Sequence, residues 1–94
     1  MKRVEELLAK EEWNKENSIW FEVYPEDEKE FLKYAKENGC KWLNGDEIDL
    51  EKDHGGYHMS ISKKLTLAFV PYFAWGYYKE KREKALKFKS WKIM

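Results

Sequence analysis

Ninety-four residues make one domain on the usual scale of roughly 100 to 200 residues per domain, read here as an N-terminal helix over residues 1–16 and a sheet core over residues 18–94. Charged residues are 38% and hydrophobic residues 43%, with sixteen aromatic rings among them, which excludes a disordered chain and leaves no room for a second core. The formal charge of zero speaks against wholesale mimicry of DNA, although the five acids of residues 46–53 could offer it locally, and it conceals a polarity: residues 1–54 hold nine Lys/Arg and sixteen Asp/Glu, net −7, and residues 55–94 hold nine and two, net +7.

Val4, Leu7 and Leu8 recur at helical spacing among good helix formers, predicting a short amphipathic helix over residues 2–15 with Trp13 just past the pattern. Asn14, Asn17 and Ser18 interrupt it. Residues 19–24, Ile-Trp-Phe-Glu-Val-Tyr, suit a strand with Ile19, Phe21 and Val23 on one face. Pro25 and the acids Glu26, Asp27 and Glu28 open a helix, and Asn38-Gly39 stops it, so residues 25–38 are predicted helical. Phe31, Leu32 and Ala35 form its buried stripe, with Tyr34 at the margin.

Gly39 to Leu43 reads as a second strand, closed by the turn signal Asn44-Gly45-Asp46. Residues 46–56 carry five acids, one lysine, one histidine and two glycines, a composition that predicts an exposed, mobile loop. Residues 57–61 and 65–70 flank Ser62-Lys63-Lys64 as a hairpin, with Leu65, Leu67 and Phe69 toward the core. Pro71 ends that strand. Tyr72 to Tyr78 then sets five rings in seven residues, where Gly76 weakens a helix and the following Lys-Glu-Lys-Arg-Glu-Lys favours one, leaving helix and loop both open. Leu86-Lys87-Phe88-Lys89 alternates, so residues 85–92 read as an edge strand protected by lysines. The fold class is therefore α+β: a mostly antiparallel sheet of four or five strands with two helices packed on one face. The helix between the first two strands makes a right-handed crossover if those strands are parallel neighbours.

Residues able to carry chemistry are few. Cys40 has only His54 and His58 as candidate bases, and a small thiol at the start of a strand reads more naturally as core filling than as a nucleophile. His54 and His58, with Asp49 and Asp53 nearby, have the side-chain types of a metal site, but on a loop their spacing does not align the imidazoles. The acids at 46, 47, 49, 51 and 53 lack the spacing and the distal glutamate of a calcium loop. Gly55-Gly56 lacks the context of a phosphate loop. No metal, no cofactor and no enzymatic activity are expected. The lone cysteine agrees with a reducing compartment, no stretch reaches the roughly 18 uncharged apolar residues of a membrane span, and the acidic start is unlike a signal peptide. Lysine outnumbers arginine sixteen to two, which removes the residue best suited to base recognition and disfavours sequence-specific DNA binding.

What folding alone explains least is the ring cluster beside a basic segment. Tyr72, Trp75, Tyr77 and Tyr78 with Lys79 and Arg82 are the candidate partner-binding residues, since Tyr and Trp anchor protein interfaces. Two or three of the rings are expected to stay exposed. As an alternative, Trp42 and His58 join Tyr72 and Trp75 in stacking on a small nucleotide or second messenger, with Lys79, Lys81 and Arg82 on its phosphates. A second alternative is single-stranded nucleic acid.

The stretch from Glu30 to Asp46, with a helix ending at Gly39, a strand carrying Trp42 and the turn Gly45-Asp46, resembles small uncharacterised α+β proteins encoded by phages and mobile elements of low-GC bacteria. The resemblance implies a phage accessory protein in the cytoplasm of a bacterial host. Its expected role is to bind and modulate or inhibit a host protein, in the manner of anti-defence inhibitors, with a host or phage protein as partner and homodimerisation as a further expectation. It carries over no catalytic residue.

Overall fold

A computed structural model of the chain describes residues 3–9, 18–55 and 57–88. Their order is α1 (Val4–Leu8), β1 (Ser18–Glu22), a 3-10 turn (Pro25–Asp27), α2 (Glu28–Glu37), β2 (Lys41–Trp42), β3 (His58–Ser62), β4 (Thr66–Val70), α3 (Tyr72–Tyr77), α4 (Lys79–Lys84) and β5 (Leu86–Lys87). Trp13, the rest of the expected first helix and the end of the expected last strand lie outside the described residues.

The α+β class holds, but the sheet is mixed rather than mostly antiparallel. Its order is β2-β4-β3-β1-β5, with β1–β3 and β3–β4 antiparallel and β2–β4 and β1–β5 parallel. Those pairings make β3 the one described strand running against the other four. The first two strands are parallel but not neighbours, because the β3–β4 hairpin is inserted between them. Two crossovers explain the mixture. The path from β1 through α2 to β2 runs one way across the sheet, and the path from β4 through α3 and α4 to β5 runs the other way. Connections of the same hand running in opposite directions fall on opposite faces.

Alternation along β1 confirms the consequence. Phe21 meets Phe31 of α2 at 5.0 Å between ring centroids, while its neighbour Trp20 meets Trp75 of α3 at 5.5 Å. Successive strand residues point to opposite faces, so helices cover both. The expected placement of the two early helices together is kept, since α1 and α2 both feed the core, but the aromatic segment forms further helices on the other face.

The main core is built by Ile19, Phe21, Met59, Ile61 and Leu67 from the sheet under Phe31, Leu32 and Ala35 of α2, with Val4 and Leu7 of α1. Tyr34, expected at the margin, is buried, and Phe88 closes this layer against Phe31 and Tyr34 at 5.2 and 6.4 Å. α2 ends as its sequence requires: Gly39 takes φ +82°, its N–H donates to the Lys36 carbonyl, and the Cys40 N–H donates to the Ala35 carbonyl. Buried Asn38 then joins the two helices, accepting the Val4 N–H at 3.0 Å through Oδ1 and donating to the Tyr34 carbonyl at 2.8 Å. That bond satisfies one of the otherwise unpaired donors of the first turn of α1.

The hairpin forms as expected, around a three-residue loop in which Leu65 takes the left-handed φ of 60° and its N–H donates to the Ser62 carbonyl. Leu67 is buried and Leu65 half-buried, but Phe69 is 36% exposed at the far end of the strand.

Candidate functional site

The segment that composition left undecided is helical. In α3, no residue is fully buried, and Phe73, Tyr77 and Tyr72 are 80%, 79% and 63% exposed, with Tyr78 just beyond at 51%. Four of the five rings therefore face solvent. Trp75 is the exception. Its indole lies nearly parallel to both Trp20 and His58, with interplanar angles of 16° and 28° and centroid distances of 5.5 and 4.0 Å. Trp20 and His58 sit on the same sheet face because they alternate away from the core residues Phe21 and Met59. Trp75 thus holds α3 to the sheet, and the remaining rings of that helix are turned outward.

Arg82 has a structural task in this arrangement. Its Nη1 donates at 3.0 Å to the carbonyls of both Trp75 and Gly76, groups that the end of α3 leaves without helical partners. Lys81 places its ammonium 5.7 Å from the Trp20 ring centroid, and Lys79 approaches Glu83 at 3.8 Å in an exposed i,i+4 pair. The expected partner-binding residues therefore divide: Tyr72, Tyr77 and Tyr78 present free ring surface, Lys79 presents surface charge, and Trp75 with Arg82 builds the platform.

Trp42 and His58 do not come together. His58 accepts the Val23 N–H at 3.1 Å through Nδ1 and stacks under Trp75, whereas Trp42 belongs to a ring cluster at the β2–β4 edge. Burial holds the His58 imidazole below its ordinary pKa, opposed by the Glu22 carboxylate opposite it on β1. The two histidines also belong to separate clusters, and among the described residues no group of three or more His, Cys, Asp or Glu side chains could hold a metal ion. Cys40 is buried, and desolvation pushes its thiol up to about 11, which leaves essentially no thiolate near neutrality.

A second feature escaped sequence reasoning. At the β2–β4 edge, Trp42, His54 and Phe69 pack with centroid distances of 4.9 to 5.4 Å, and Phe69 continues through Tyr57 at 5.1 Å to Tyr72 at 5.5 Å. The first three rings wall an open cleft of about 630 Å³ that Leu67 and Ala68 also line, rimmed by Asp46, Glu47, Asp49 and Lys52. The acidic loop does not drift free, as its composition suggested. Ile48 is buried in the core, the Lys36 ammonium donates to the Ile48 carbonyl at 3.0 Å, and the His54 N–H donates to the buried Glu28 carboxylate at 3.1 Å. The available signal was Ile48 itself, one apolar residue among acids.

Among the described residues, no helix is long and apolar enough to cross a membrane. Comparison with family models, curated proteins and solved structures returns no match.

Proposed function

We propose that the chain is a small non-enzymatic binding protein that docks on a host protein through the outward rings of α3 and the cationic α4, as a phage accessory protein that modulates or inhibits a host component of the anti-defence type. The observation that carries this reading is the exposure of Tyr72, Phe73, Tyr77 and Tyr78 together on one short segment. Contiguous apolar surface of this kind, flanked by charge, marks interaction sites on small proteins. Trp75 and Arg82 fix the segment in place, so the rings are presented pre-formed and lose little freedom on binding. Lys79, Lys81, Arg82 and Lys84 against Glu80 and Glu83 leave the flanking helix positive, which favours an acidic partner surface.

The non-enzymatic part of the reading is supported by the buried, high-pKa thiol of Cys40. Phe73→Ser combined with Tyr77→Ser tests the docking part, because neither side chain supports the core. Affinity capture from host lysate is expected to lose its partner with the double variant while the thermal midpoint stays unchanged. Capture should also survive moderate salt, as ring-anchored interfaces do and polyanion contacts do not. A partner retained at full yield by the double variant overturns the proposal.

A further inference from the structure

The cleft at the β2–β4 edge has a chemistry opposite to that of the α3 face. Trp42, His54 and Phe69 wall it, exposed Leu43 extends the apolar lining, and its rim holds three carboxylates against the ammonium of Lys52, with the Lys41 ammonium paired to Glu47 beside it. Ring faces attract cations through their quadrupole, and carboxylates do so through charge. Polymethylene groups are favoured against the aliphatic and aromatic lining. An anion, a phosphate group included, meets repulsion from Asp46, Glu47 and Asp49.

We infer that this cleft is a binding site for a small alkyl polyamine. The carbon chain lies along exposed Leu43 and the Trp42–Phe69 wall, and its ammonium groups reach the rim. Several carboxylates spaced over residues 46–49 favour a ligand with more than one positive charge over a simple monocation. The volume of about 630 Å³ falls within the roughly 300 to 1,000 Å³ of small-ligand sites. The walls are also fixed before any ligand arrives. Trp42 N–H donates to the Asp46 carbonyl at 2.9 Å, Asp46 N–H donates to Asn44 Oδ1 at 3.0 Å, and Ile48 anchors the rim in the core. Glu47 is engaged by Lys41 at 3.4 Å in an exposed pair, whereas Asp46 accepts from the Asn44 amide at 3.2 Å and Asp49 from the Glu51 N–H at 3.0 Å, neutral donors that leave the charge of both to supply most of the attraction. This site shares no lining residue with the α3 docking face, to which the Phe69–Tyr57–Tyr72 ring contacts connect it.

Titration of the full chain with spermidine, followed by amide and indole NMR, tests the assignment. Saturable shifts are expected at the Trp42 indole and the amides of residues 43–49 and 67–69, with little change in α3. Trp42→Ala is expected to weaken binding roughly tenfold. Asp46→Asn with Asp49→Asn preserves side-chain acceptors and serves if the tryptophan variant unfolds; it too should weaken binding roughly tenfold. Magnesium at matched ionic strength should shift the acidic loop without moving the Trp42 indole. Equal shifts with magnesium, no saturation in the millimolar range, or unchanged affinity in the aspartate double variant overturns the inference.

Discussion

The indole of Trp75 stacks on the imidazole of His58 at 4.0 Å, and the same indole covers Trp20, so this side chain is a main fastening of the aromatic helix to the second face of the sheet, beside half-buried Ala74 and the Trp20–Tyr78 edge contact at 6.2 Å. Trp75→Ala should therefore cost stability as well as binding. Large aromatic-to-alanine changes in cores cost about 3 to 5 kcal/mol, and for this half-buried ring we expect about 2 to 3 kcal/mol. Urea denaturation measures it. A loss below about 0.5 kcal/mol, the scale of ordinary surface substitutions, would show that α3 is not held by this contact.

The same stack makes stability depend on pH. Burial lowers the His58 pKa in the fold, so the unfolded chain binds the proton more tightly. The His58 contribution is therefore fully present above the ordinary histidine pKa of about 6.5 and is lost as pH falls through the lowered value. Protonation would also break the bond from the Val23 N–H to Nδ1. The urea midpoint should drop between about pH 7.5 and about pH 5, more in the native chain than in His58→Gln. Equal drops in the two proteins would assign the effect to other groups.

Asn38 bridges α1 and α2 from a buried position. Asn38→Ala leaves the Val4 N–H and the Tyr34 carbonyl with one partner fewer, at an expected cost of about 1 to 3 kcal/mol. Amide exchange should quicken in α1 before the sheet, since α1 loses the contact at its N-terminal donor. Uniform acceleration throughout the chain would mean that α1 does not open separately.

Gly39→Ala isolates a backbone effect. No atom lies within 4 Å of the site a Cβ would occupy, yet φ is +82°, so the cost is purely conformational, about 1 to 2 kcal/mol. Thermal denaturation with an unchanged native spectrum is the expected signature. Stability equal to that of the native chain would show that the helix end had rearranged.

Cys40 should be nearly inert to thiol reagents in the native state and react fully in denaturant, because it is buried and its thiol is raised to about 11. Rapid native labelling at neutral pH would place the cysteine in an opening segment.

Much of this architecture is readable from residue order. Ile19, Phe21 and Val23 alternate, Phe31, Leu32 and Ala35 repeat at helical spacing, and Gly39 marks a left-handed stop; all are local signals with local causes. Strand partners across the sheet are different. The Phe21–Leu86 and Trp42–Leu67 pairings join residues far apart in the chain, and parallel pairing leaves no turn between them to detect. The ring cluster was legible as a surplus but not as an orientation. Tyr72, Phe73, Trp75, Tyr77 and Tyr78 have no helical periodicity of polarity, so only the sheet beneath Trp75 determines which ring turns inward. His54 and Phe69 escaped for related reasons: Phe69 meets Trp42 through the β2–β4 pairing, and His54 meets both because Ile48 draws an acidic loop back to the core.

The position of β5 has a consequence for biosynthesis. It pairs with β1, and Phe88 then sits between Phe31 and Tyr34. A nascent chain still holding residues 86–88 inside the ribosome exposes the outer edge of Ser18–Glu22 and an unfilled space above α2. Sheet closure is thus deferred until residues 86–88 have emerged, and during that interval the β1 edge is the surface that chaperones must guard.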